Sequence, residues 1–205
     1  MQVRELAAGL WYWTGRHPAW TPADGTASRP DGWDQEVGCY LYDGPDAICL
    51  FDPLIPMEDR DRFFEALDRD VEQAQKPVRI LLTVDAHRRS AADLAERYGV
   101  DAPPLPPERP EPPAGVEIVA ETTGAEALDE FVFWVPEHRA LVVGDLILGR
   151  AHGLEVPRTW LEDGYDAAIA ALRPLLELPV DRVLVTHGEP VLEDGLDVLR
   201  RALAG

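Results

Sequence analysis

Apolar positions along the chain follow two different periods, and the switches between them mark out its elements. Residues 3–14, 36–42 and 47–51 are short runs rich in aromatic and β-branched residues, and they read as strands. Over residues 58–75 the spacing changes: Phe63, Phe64, Leu67 and Val71 recur at helical intervals, which predicts an amphipathic helix stopped by Pro77. Residues 78–84 form the next strand, and residues 91–98 a second helix for which Ser90 is a fair N-cap. The second half repeats this order. Residues 116–121, 130–135 and 140–143 are predicted strands, with 136–139 as a tight turn. A helix over 163–176, a strand over 182–185 and a helix over 191–204 follow.

Between the halves, residues 101–115 hold seven prolines in fifteen positions, which excludes a helix or a central strand and predicts an extended connector. It is read as internal to one domain spanning 1–205, because neither half has the strands to close a core alone. Several strands, helix, strand, helix, stated twice, suits two packed sheets with helices on both outer faces. The expected class is α/β (α+β), a four-layer αββα sandwich.

Composition narrows the function classes. The chain has 205 residues, 46% of them hydrophobic, which excludes general disorder. Its formal net charge of −19, with Lys76 as the single lysine, disfavours nucleic acid and anionic membrane surfaces as partners. No apolar run approaches the ~20 residues needed to cross a bilayer. The N-terminal residues lack the apolar stretch of a signal peptide, so a cytoplasmic location is expected. Cys39 and Cys49 flank a turn signal at residues 42–46 and are expected nearly opposite each other across a hairpin, as reduced thiols.

The candidate chemistry collects where strands end. Residues 80–84 run from a buried strand through Asp85, Ala86, His87, Arg88 and Arg89 into a helix, the kind of junction where open sheets place their sites. Val142, Val143, Gly144 and Asp145 end another strand. Thr186, His187 and Gly188 follow a third, and Asp52 with Pro53 closes a fourth. In type and order these features resemble the metallo-β-lactamase superfamily. The resemblance covers nearly the whole chain and implies that family's αββα fold. By the same resemblance, Asp145 stands where a metal-bridging carboxylate is found, His187 where the last histidine ligand is found, and Asp52 where an early supporting Asp is found.

The likeness fails at the first metal motif, a strand-end Thr followed by His-x-His-x-Asp-His. Laid on Thr83, its four ligand positions hold Val84, Ala86, Arg88 and Arg89, none of which binds zinc. The family's further histidine, about twenty residues before Gly144, has no counterpart in residues 121–126. A two-zinc site, which needs about seven ligating groups, is therefore not expected. The reading favoured is a divergent protein whose old cleft binds a small ligand or has lost its activity.

The alternative is a single-metal hydrolase of an ester, thioester or amide. If the strand-to-helix loop turns His87 inward, then His87, Asp145 and His187 make a two-His, one-carboxylate set suited to one zinc or iron. Asp85 would then act as base or orienting group. Against this stands a plain structural role for each, since strand-end Asp residues cap loops and buried His residues satisfy backbone groups.

Arg88 and Arg89 are candidates for an arginine-lined anion pocket beside Asp145, or else simply exposed cations on a helix turn. His17, Trp20 and Trp33, in the loop 15–34, either form a lid over a ligand or cover a sheet edge. His152 and Trp160 fall on a second loop where ligand contacts are expected by resemblance. His138, in a turn, is expected to be solvated. A homodimer through the apolar loop residues is conceivable.

Overall fold

Strands buried on both faces read as unbroken apolar runs, and that is how the two central sheets are made. The computed structural model describes residues 2–22, 33–106, 108–123 and 128–204. A first sheet carries β1 (Val3–Ala7), β2 (Leu10–Arg16), β3 (Glu36–Asp43), β4 (Ile48–Phe51) and β5 (Val78–Leu81), in that spatial order. Only the β4–β5 pair is parallel, because α1 (Arg60–Ala74) forms the crossover between them. After β5 a single 3-10 turn, Asp85–Arg88, leads into α2 (Ala91–Tyr98).

The second half supplies β6 (Glu117–Thr122), β7 (Glu130–Val135) and β8 (Ala140–Val143), then a small hairpin of β9 (Leu148–Arg150) and β10 (Gly153–Glu155). One helical turn, α3 (Arg158–Leu161), and α4 (Tyr165–Leu172) precede β11 (Arg182–Val185) and α5 (Gly195–Leu203). The second sheet is ordered β11-β8-β7-β6, again with one parallel pair, β11 on β8.

Three apolar clusters separate the four layers. Phe63 and Leu67 of α1 and Leu94 of α2 pack on Leu50 and Ile80 of the first sheet. Tyr40, Tyr42 and Phe51 meet Phe131 and Phe133 between the sheets. Leu141 and Val143 meet Ala168, Leu172 and Leu199 under the other helices. The αββα sandwich expected from the order of elements is thus the observed arrangement.

The sheets are also pinned together at one end. Gly38 N–H donates to Thr186 O (2.7 Å), and Phe131 N–H to Thr83 O (2.8 Å). The Tyr40 hydroxyl donates to Val185 O at 2.6 Å. β3 is thereby tied to the end of β11, and the start of β7 to the segment that follows β5.

Several local expectations are corrected. The run 3–14 is two strands, turned at Ala8 and Gly9. The helix expected over 163–176 is α4 flanked by 3-10 turns, with Pro174 lacking the N–H that would continue it. The last helix starts only at Gly195, because Val191 is spent pairing with Val183 (2.9 Å in both directions). Ser90 makes no cap bond; its hydroxyl accepts Ile55 N–H at 3.0 Å. Cys49 lies opposite Tyr42 and Cys39 opposite Trp13, so the two free thiols face different cores. His138 is buried, its ring edge-on to Tyr42, because the turn folds back on the sheet. Residues 101–106 and 108–115 carry neither helix nor strand, as the prolines require. No helix among the described residues is long and apolar enough to cross a membrane.

Candidate metal centre

Asp52 is the hub on which the site is built. It directly follows β4, is 1% exposed, and holds a left-handed backbone conformation (φ 46°) unusual for a non-glycine. Its Oδ1 accepts Thr83 N–H (2.8 Å). Its Oδ2 accepts the hydroxyls of Thr83 (2.6 Å) and Thr186 (3.1 Å). One carboxylate therefore ties the ends of β4, β5 and β11.

The fourth group on Asp52 is His87, whose Nδ1 lies 3.0 Å from Oδ2. The 3-10 turn after β5 brings this about: its pitch leaves Ala86 and Arg88 exposed and directs His87 inward to 3% exposure. With Nδ1 engaged by Asp52, the His87 Nε2 faces Asp145 Oδ1 at 3.3 Å. His187, carried by the loop after β11, places its own Nε2 3.2 Å from the same oxygen. All three donor atoms lie within 4.8 Å of one another.

Two glycines make the approach possible. A Cβ on Gly144 would stand 2.3 Å from Thr83 Oγ1, and Gly188, at φ +89°, lies with its backbone against Gly149. These are physical reasons for the Gly-Asp and His-Gly pairs.

The cluster's charges are strongly coupled. Burial and the Arg89 guanidinium oppose protonation of His87, but Asp145 and Asp52 outweigh them and raise it to about 9. Burial acts to raise Asp145, yet the two imidazoles hold its carboxyl well below the usual range. His187 is lowered, chiefly by burial, with His87 and Arg89 adding to the effect.

The donor set fits one divalent ion. Asp145 Oδ1 is buried, with the Nε2 atoms of His87 and His187 facing it at off-axis geometry, an oxygen that a shared cation would satisfy. Tetrahedral donors about 2.0 Å from an ion stand roughly 3.3 Å apart, close to the 3.2 and 3.3 Å found here. The Asp52–His87 contact is the carboxylate–histidine pairing that orients a ligating imidazole. Among the described residues this triad is the single cluster able to hold a metal.

Val84 is buried and bridges to Glu130, Ala86 is exposed, and neither arginine at the remaining motif positions contributes a ligand. Part of the segment 121–126 lies outside the described residues.

The other candidate residues divide sharply. Trp33 and Trp160 set their ring edges on His187, at 5.0 and 5.6 Å between centroids, and His17 sits edge-on to Trp33 at 5.2 Å. Trp20 does not join them; its indole N–H donates to Trp33 O and so fixes where Trp33 stands. The loop between them, 23–32, lies outside the described residues.

Asp85 and Arg88 pair with each other, each about half exposed, on the outer side of the turn. Arg89 takes up a strained backbone (φ 29°) and donates from Nη1 to Asp52 O (3.0 Å) rather than to Asp145. His152 is exposed on the β9–β10 turn, lining a groove of about 400 Å³ with Tyr165, Val198 and Arg201.

Sequence reasoning passed over Glu130. This carboxyl is wholly buried and accepts the N–H groups of Gly144 (2.8 Å), Asp145 (2.7 Å) and Leu146 (3.0 Å). Burial pushes it up to about 8, with the Asp145 charge adding to that rise. The signal available was a charged residue opening an otherwise apolar strand.

The sequence matches no protein-family model and no curated protein. Solved structures give the likeness. A metallo-β-lactamase from Hirschia baltica is 16% identical, with 99% of this chain and 96% of that one covered, at a TM-score of 0.58. One from Erythrobacter litoralis is also 16% identical, with 97% and 92% covered and the same TM-score. One from Pontibacter korlensis is 15% identical, with 100% and 99% covered, at 0.53. The chain has the metallo-β-lactamase fold over its whole length. At this identity the likeness carries the fold, and the chemistry rests on the site itself.

Proposed function

We propose that the protein is a hydrolase of an ester, thioester or amide that works with one divalent ion, zinc or iron, held by His87, Asp145 and His187. The observation that carries this reading is the convergence of two Nε2 atoms on one buried carboxylate oxygen. When bound, such an ion supplies a Lewis acid and an activated water at an open coordination position.

The chain's own residues do the rest. Asp52 holds the His87 ring and its tautomer by accepting from Nδ1. Trp33, Trp160 and His17 wall the His187 side of the site with aromatic surface, which excludes water and favours an apolar acyl group. Asp85, engaged by Arg88, is left without a role in this scheme.

A second reading has its own observation. The His87 ring already bridges two carboxylates, Asp52 at Nδ1 and Asp145 at Nε2, so an imidazolium can stand where a cation would. In that case the fold keeps a metal-free cleft that binds a ligand without hydrolysing it.

Metal content decides between them. Tag-free protein expressed in zinc-, iron- and manganese-supplemented media is to be measured by plasma mass spectrometry. Near one ion per chain, lost in His187→Ala, supports the hydrolase and opens an ester and thioester screen. Far less than one ion per chain in all three media rejects it in favour of the metal-free cleft.

A further inference from the structure

We propose that Glu130 is a positioning residue that sets how Asp145 is presented to His87 and His187. The proposal deepens the single-metal reading and rests on it for its effect on ion binding, though not for its structural core.

At the end of β8 the chain turns so that three successive N–H groups, those of Gly144, Asp145 and Leu146, point into one small volume. Such a run of convergent amides forms an anion-binding concavity. In this protein the anion is supplied from within, by a side chain reaching across from the first residue of β7. The fit is specific to a carboxylate. Oε1 accepts one N–H and Oε2 accepts two, so all three donors are satisfied with no water needed.

Glutamine has the same length but one acceptor atom in place of two, and its NH₂ would face N–H donors. Aspartate is shorter by one methylene and falls short of the amides.

Position follows from these bonds. Asp145 is one of the three residues held, and its Cα is fixed by contacts on both sides, Asp145 N–H itself and its neighbours Gly144 and Leu146. Gly144 is further confined between the Glu130 carboxyl and Thr83 Oγ1, at 3.2 and 2.3 Å from where its Cβ would be. The β7 end that carries Glu130 is itself fastened to the other sheet, since Val84 bridges to Glu130 and Phe131 N–H donates to Thr83 O. One carboxylate thus couples the His87 turn on one sheet to the Asp145 turn on the other. With the amides held, Asp145 Oδ1 lies nearly equidistant from the two Nε2 atoms, 3.3 and 3.2 Å.

The test compares Glu130→Gln with Val132→Ala, a core truncation in the same strand that serves as a stability control. Two readouts are taken: cobalt(II) affinity with its visible absorption bands, and amide hydrogen exchange of the metal-free protein. For Glu130→Gln the expected result is a cobalt Kd at least 10-fold weaker, with altered bands. Asp145 and Leu146 amides should exchange at least 10-fold faster, relative to Leu141 in β8. Val132→Ala should lose stability while keeping affinity, spectrum and exchange at the turn. Should Glu130→Gln not fold, Glu130→Asp carries the same comparison.

Wild-type affinity and spectrum together with unchanged exchange in the Glu130 variant would overturn the proposal. If the wild type binds no cobalt, the single-metal reading fails. Glu130 is then judged on the exchange rates alone, where unchanged rates reject it.

Discussion

Gly144 shows how little room a single position near the site leaves. Its α-carbon passes so close to Thr83 that any Cβ would stand 2.3 Å from that hydroxyl oxygen. The oxygen cannot swing away freely, because it donates to Asp52 Oδ2 at 2.6 Å and lies 3.1 Å from His87 Nδ1. Gly144→Ala is therefore expected to cost about 1–3 kcal/mol, the range for forcing an extra carbon into a packed interior. Urea denaturation measures the loss, and a variant as stable as the wild type would contradict the packing described. Asp145, the next residue, keeps its charge for a similarly local reason: two imidazoles face one oxygen.

Among the elements, the strand ends depend on Asp52. Its carboxylate joins the ends of β4, β5 and β11 and orients the 3-10 turn through His87. Asp52→Ala leaves Thr83 N–H and the Thr186 hydroxyl without their acceptor in a buried setting. A loss on the order of 3 kcal/mol is expected from breaking such a charged network. A midpoint of urea denaturation matching the wild type would show that the network is not holding these strands. The elements themselves were largely legible in the sequence, because strands buried on both faces print unbroken apolar runs and α1 prints its period. What was not legible was set by geometry. Whether His87 points in or out depends on a single 3-10 turn, which has no hydrophobic period to read. Glu130 was overlooked because its partners are backbone amides, which leave no mark in sequence. Ser90 looked like a cap and serves the neighbouring Ile55 instead.

For the whole molecule, stability and ion binding are linked through protons. His87 is raised from 6.5 to about 9 in the folded state, so its contribution is complete below pH 6.5 and is lost as pH rises through about 9. Burial and the Asp145 charge raise Glu130, against the backbone N–H groups that hold its carboxylate form, while His187, lowered by burial, acts with the opposite sign below pH 6.5. Asp52 and Asp145, both lowered, act at the acid end, where stability is lost as pH falls below 3.8. Metal-free protein kept in chelator should therefore lose stability as pH rises from 6.5 to 9. Urea midpoints that stay level or rise from pH 6.5 to 9 would refute this. On the single-metal proposal, ion binding would reverse the trend, because the His87 Nε2 proton would be displaced and affinity would increase with pH.

The inward turn of His87 also bears on evolutionary reversibility. Ala86 and Arg88 lie on the outer surface of that turn, and Val84 is committed to a bridge with Glu130. Restoring histidines and aspartate at the old motif positions one codon at a time would send two of them into solvent and force a third into packed core. Grafting that motif onto this chain would require the backbone of the turn to be rebuilt before any added ligand faced the cleft. What this turn sends towards Asp145 and His187 is His87, and any chemistry added at its other positions would start from the outer surface or from packed core.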